Sequence, residues 1–243
     1  MRQPNQPSRA VTALILRALF ACACLCLCAC LCACAAKPER PTEDIDLLPK
    51  YGLLPKNAAQ RAADEQFIAA IDQEFHGDRK KAAADIAGRG WYLLRQGDTA
   101  TAMKRFNQAW LLDAENGSAL WGMAELRGQA NKFAEALILF DEAQPLVGDD
   151  VDFMADHAKT IAFAGLRAKD NGLINTALSR FSYIHDLAPE NTLNLQNWAI
   201  LLYFLGDYRA AWEKIDLAMA TAGKERLNPA FIDKLQSKMP RSR

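Results

Sequence analysis

GDTATAMKRFNQAWLLDAENGSALWGMAELRGQANKFAEALILFDEA, residues 97–143, repeats itself: Ala102, Phe106 and Ala109 return 34 residues later as Ala136, Phe140 and Ala143. The frame runs on through Ala177, Phe181 and Ile184 to Ala211, Ile215 and Ala218, the last two sets again 34 apart. Each triplet is spaced i, i+4, i+7, so on a helix its side chains share one face, the small ones permitting close approach and the large one filling the space. Five residues ahead of each first Ala stands Gly97, Asn131, Gly172 or Gly206, residue types that tolerate positive φ and suit the end of a helix. Twelve residues ahead stands Gly90, Ala124, Gly165 or Ala199, where two helices of a pair would cross most closely. The unit is helix, turn, helix, and it occurs four times.

This period and its small/small/aromatic/small pattern resemble the tetratricopeptide (TPR) family. The resemblance covers residues 83–225 and implies an all-α solenoid of four TPR-like hairpins, 83–116, 117–150, 158–191 and 192–225. Between the second and third copies the spacing of the first Ala grows from 34 to 41, adding seven residues around Gly148 to His157. Seven residues are nearly two helical turns, so the first helix of repeat three is expected to lengthen, capped by Asp149 or Asp150, without turning its packing face away. Residues 57–82 and 226–243 read as capping helices. Asn57 caps the first, on which Phe67, Ile68, Ile71 and Phe75 share a face, and Asn228-Pro229 opens the second, with Phe231, Ile232, Leu235 and Met239 on its apolar side. Residues 35–56 include Pro38, Pro41, Pro49 and Pro55 and a single aromatic, Tyr51, which predicts a flexible, extended tether.

The 243 residues carry no formal net charge, but residues 1–34 hold Arg2, Arg9 and Arg17 and no acid, leaving 26 basic and 29 acidic groups beyond them. With no basic stripe on that weakly acidic body, nucleic acid is not an expected partner. All seven cysteines occupy alternate positions from Cys22 to Cys34 in an apolar run that follows the three arginines. No loop, Gly or polar neighbour accompanies them, so they read as small hydrophobes of a targeting segment, residues 1–34, rather than a metal-thiolate site. Leu31-Cys32-Ala33-Cys34 looks like a bacterial lipobox, as does Leu27-Cys28-Ala29-Cys30. Cys34 is favoured for lipidation because polar Lys37-Pro38-Glu39-Arg40 follows it. Cleavage at Ala33-Cys34-Ala35 or an uncleaved anchor over Ala18 to Ala36 are the alternatives, and all three place the repeats outside the cytoplasm. Ala35, where Asp is the usual inner-membrane retention signal, makes the resemblance that of an outer-membrane lipoprotein facing the periplasm.

No stretch carries the pattern of an enzyme. His76, His157 and His185 are scattered outside any His-Glu-x-x-His arrangement, and Gly88-x-Gly90 lacks the strand and third glycine of a dinucleotide loop. Asp149, Asp150, Asp152, Asp156 and His157 gather potential ligands but lack the glycine and closing glutamate of a calcium loop. No catalytic residue, metal or cofactor is therefore assigned. The reading is a non-enzymatic adaptor or assembly factor held at the membrane by an N-terminal lipid. The competing readings are a metal-dependent or enzymatic protein using Asp149 to His157, or a self-associating scaffold. The family resemblance implies that a protein or peptide lies along the concave surface lined by the first helix of each pair. The frame then names Trp91, Leu94, Arg95, Trp121, Glu125, Leu166, Lys169, Ile200, Tyr203 and Phe204 as its lining. The family's carboxylate clamp is not expected, because its positions in repeat one are Ala87 and Trp91.

Overall fold

The computed structural model describes residues 44–241, whose secondary structure is ten α-helices and three short 3₁₀ turns, with no strand among the described residues. The helices are α1 (Ala58–Glu74), α2 (Arg79–Arg95), α3 (Thr99–Leu112), α4 (Gly117–Gln129), α5 (Phe133–Val147), α6 (Val151–Ala168), α7 (Asn171–Leu187), α8 (Thr192–Leu205), α9 (Tyr208–Met219) and α10 (Pro229–Lys238). Each except α5 begins at an Asp or Asn whose side chain accepts a first-turn backbone N–H, which supplies a partner the helix cannot provide for itself. These caps fix where the chain turns. Asn57 goes further and forms a reciprocal pair with Gln60.

The helices pack as hairpins, α2 with α3, α4 with α5, α6 with α7 and α8 with α9. All twelve triplet residues are buried, led by Phe106, Phe140 and Phe181, none with any exposed surface. Gly122 shows how tight the fit is: a Cβ there would drive into the Phe106 ring. Gly97, Asn131 and Gly206 take the expected left-handed turn, but Gly172 does not. In repeat three α6 stops at Ala168, Lys169 takes the left-handed position at φ 55°, and the Asp170 carboxylate accepts from the Gly172 N–H, starting α7 early. The inserted residues do lengthen α6, which Asp150 caps.

Buried apolar side chains form three clusters. One joins α1 with repeats one and two and takes in Phe153, the second fills repeat three, and the third holds repeat four and α10. The joint between the first two clusters falls at the insertion. There the first helices α4 and α6 touch less than α2 and α4 or α6 and α8 do.

Both ends are closed. Ile71 buries α1 against repeat one, and Phe231 and Leu235 bury α10 against repeat four, where the Trp212 Nε1–H donates to the Met239 carbonyl at 3.0 Å. The expectation of an extended tether fails from Asp44 onward. Residues 44–54 form 3₁₀ turns packed along α3, and Tyr51 is buried. The reason is Asn107, fully buried in α3, whose amide donates to the Asp46 and Leu48 carbonyls at 2.9 Å each, while its Oδ1 accepts from the Tyr51 N–H at 3.4 Å. Lys50 Nζ then reaches both Glu142 oxygens on α5 at 2.7 Å. Lys50, Tyr51, Gly52 and Leu53 all hold positive φ, 54°, 56°, 64° and 53°, a left-handed turn that L-residues adopt only where surrounding contacts enforce it.

Candidate protein-binding face

The first helices of the hairpins present the residues named from the repeat frame, and the structure gives them different surroundings. Trp91 and Trp121 are half-buried struts. The Trp91 ring stands edge-on to Phe106 and to Trp121, at 5.6 and 4.8 Å between centroids, and Trp121 stands edge-on to Phe153 at 5.6 Å. Their indole N–H groups donate across the seams, Trp91 to Ser118 Oγ at 2.9 Å and Trp121 to Asp156 Oδ2 at 3.2 Å. Both therefore tie neighbouring repeats together. Truncating Trp121 would loosen the array as well as any contact it offers a partner, so it does not separate binding from stability. Leu94, Leu166 and Ile200 pack, partly exposed, against the three apolar clusters. Arg95 and Lys169 stand in solvent.

Glu125 carries the unusual chemistry. It is 7% exposed, its Oε2 accepts from Lys159 Nζ on α6 at 2.9 Å, and its Oε1 is buried with no hydrogen-bond partner. Lys159 also donates to Asp156 Oδ1 at 2.8 Å. Two carboxylates thus share one ammonium. Burial pushes the Glu125 carboxyl up to about 7, against the opposing attraction of Lys159 and with some help from Asp156. Burial also works against the charge on Lys159, but Glu125 and Asp156 outweigh it and raise that group above its ordinary range.

Beside this cluster, in the α4–α6 seam, lies an open cavity of about 300 Å³. Glu125, Lys159 and Thr160 line it with Gln129, Asn131 and the rings of Phe133 and Phe163, which stack nearly parallel at 6.2 Å. From Phe163 the aromatic surface continues edge-on to Phe204 at 5.7 Å and from there to Tyr203 at 5.5 Å. Phe204 is 56% exposed. The repeat frame names Glu125, Tyr203 and Phe204 but not Phe133, Phe163, Lys159 or Thr160. Lys159 occupies an inward position of repeat three, where the frame could find it; Phe163 lies one position off the frame's inward set, and Phe133 opens the second helix of its pair.

The acidic segment Asp149 to His157 is dispersed over α6 and its approach. Asp150 caps the helix, Asp152 takes Asn191 and Arg226, and Asp156 faces Trp121 and Lys159. His157 stacks flat on Phe140 at 4.9 Å and takes an Arg180 N–H on Nδ1 at 3.3 Å. Burial and Arg180 push its pKa down to about 4, against a weaker pull from Asp141, so the ring is neutral near pH 7. Among the described residues no three His, Cys, Asp or Glu side chains converge as a metal would require, and no helix is long and apolar enough to cross a membrane. Cys34 lies outside the described residues.

The array is TPR-like. Residues 93–153, from the end of α2 to the start of α6, match the tetratricopeptide repeat family model. A thermophilic TPR protein of Thermus thermophilus superposes with a TM-score of 0.55 at 16% identity, over 65% of this chain and 84% of that one. YrrB, a TPR protein with an unusual peptide-binding site, aligns over 70% of this chain and 98% of its own at 16% identity, with a TM-score of 0.29. No curated protein sequence matches the chain.

Proposed function

We propose that this protein is a non-enzymatic adaptor that binds a protein partner across the first-helix face of repeats two to four while a lipid on Cys34 holds it at the bacterial outer membrane, facing the periplasm. What supports the binding role is the Phe133–Phe163–Phe204–Tyr203 surface, a partly exposed aromatic run beside a cavity whose buried glutamate has an unpartnered oxygen. Aromatic anchors next to a desolvated polar group are the composition of a binding hot spot. The second-helix side of repeat one is already covered by residues 44–54. The anchor rests on the lipobox-like Leu31-Cys32-Ala33-Cys34 and the three arginines ahead of it.

One experiment addresses both halves. The full chain is labelled with a fatty-acid analogue, cross-linked in intact cells and captured from the membrane fraction, with Cys34→Ser and Phe204→Ala alongside. Cys34→Ser should lose the label, and Phe204→Ala should keep it while its cross-linked partner falls by about an order of magnitude, as for a central aromatic anchor. A Cys34→Ser chain that still labels moves the lipid to Cys30. A partner retained in full by Phe204→Ala removes this face as the binding surface.

A further inference from the structure

The α4–α6 cavity holds a buried charge imbalance. Once Glu125 is ionised, above about pH 7, Glu125 and Asp156 supply two carboxylates and Lys159 one ammonium, so the cluster is then one positive charge short. The cluster is also one donor short, since Glu125 Oε1 accepts no hydrogen bond from the protein. A buried carboxylate oxygen without a donor is strongly disfavoured, and both deficits fall on a residue that lines an open cavity.

We propose that this cavity receives an arginine side chain from the partner polypeptide, its guanidinium donating to Glu125 and lying against Phe133 and Phe163. This rests on the reading of the first-helix face as a partner surface and assigns the chemistry of one contact on it. Arginine meets both deficits together: its permanent charge completes the cluster and its fork of N–H groups provides the missing donor. The remaining N–H groups would take acceptors from Gln129, Asn131 and Thr160, residues that line the same space. A guanidinium also stacks on aromatic faces, which the Phe133 and Phe163 rings provide. A carboxylate-bearing ligand is disfavoured here because it would add to the excess negative charge, and an apolar one would leave Oε1 unpartnered.

The test uses the full chain purified from membranes in detergent and two blocked tripeptides, N-acetyl-Gly-Arg-Gly-amide and the same peptide with citrulline, a neutral isostere, in place of arginine. Binding is followed by tryptophan fluorescence, since the Trp121 indole is bonded to the cluster through Asp156. The arginine peptide should saturate in the millimolar range expected of one short side chain, and the citrulline peptide should bind about tenfold more weakly or worse. Glu125→Gln should weaken the arginine peptide to the citrulline level with its melting temperature preserved. Phe163→Leu, which leaves the charges alone, should weaken it about two- to fivefold and keeps the test open if the glutamine variant unfolds. Equal binding of the two peptides, no saturable signal, or full binding by Glu125→Gln would each overturn the proposal. If the arginine peptide fails while Phe204→Ala still loses the cross-linked partner, the arginine assignment falls and the partner surface stands; if the peptide binds and Phe204→Ala keeps its partner, the reverse holds.

Discussion

The two faces of the array each bury a polar side chain in the middle of a helix, and they treat it in opposite ways. On the second-helix side Asn107 has both amide N–H groups and its oxygen partnered by the chain's own residues 46–51. On the first-helix side Glu125 has one oxygen filled by Lys159 and one empty. Buried polar groups are nearly always paired, so the difference separates a surface that already holds a docked segment from one that does not. The left-handed turn at Lys50 to Leu53 fits this view, because an unfavourable backbone persists only where docking contacts outweigh it.

Breaking the satisfied side should have the largest effect. Asn107→Leu keeps the volume but removes three hydrogen bonds of about 1 kcal/mol each, and undocking the segment also returns the Tyr51 ring to water. A loss on the order of 4 kcal/mol is expected in urea denaturation, with new protease cleavage confined to residues 44–56. If the variant melts like wild type and residues 44–56 stay resistant, Asn107 is not what holds the segment.

This docking was not legible in the sequence, and the reason is physical. Four prolines and one aromatic describe the local preference of the chain, whereas the docking depends on a single asparagine 56 to 61 residues away, placed beside the repeating face of α3 and outside the repeat triplets. What was legible followed from local rules. The triplets are buried because i, i+4, i+7 is a helix face in any context, and Asn57, Asp150 and Asn228 cap because their side chains reach only their own first turn. Gly172 misled for the converse reason: Asp170, two residues earlier, was the stronger helix start. In the candidate site the frame found Glu125, Tyr203 and Phe204, which lie at inward helix positions. It passed over Phe163 and Phe133 because their exposure depends on the gap between α4 and α6, which falls at the insertion.

A second prediction sharpens the comparison through pH. Glu125 and His157 sit on the two sides of the repeat two–repeat three joint, and burial moves them in opposite directions. Between pH 4.5 and about 7 folded Glu125 keeps a proton that the unfolded chain has released, so its contribution makes stability fall as pH rises. Between about 4 and 6.5 unfolded His157 takes up a proton that the folded ring refuses, so its contribution makes stability rise with pH. The wild-type profile contains both. Glu125→Gln should expose the histidine slope, steepening the gain in stability from pH 4 to 6.5 toward about 3 kcal/mol, and His157→Gln should flatten or invert it. Parallel profiles for the two variants would mean that neither group is buried in the charge state described.

The smallest expected effect decides what kind of contact closes the covered face. Lys50 Nζ lies 2.7 Å from both Glu142 oxygens and, judged by distance alone, is the strongest link between residues 44–54 and the repeats. Its surroundings say otherwise: the Glu142 side chain is 40% exposed, so water and salt compete for the charge, and exposed pairs of this kind contribute about 0 to 1 kcal/mol. Asn107 makes weaker individual bonds, but where water cannot replace them. Glu142→Gln should therefore lower stability by about 0.5 kcal/mol, raising wild-type salt to 0.5 M (about a 4 Å Debye length) should reproduce most of that loss, and residues 44–56 should stay protected from protease in both cases. The double variant with Asn107→Leu should then lose little more than Asn107→Leu alone, because once the segment has left, Lys50 is no longer beside Glu142. Should Glu142→Gln release the segment as fully as Asn107→Leu does, the covered face is held by surface charge, and the contrast between a satisfied and an unsatisfied buried group no longer explains why one face is occupied.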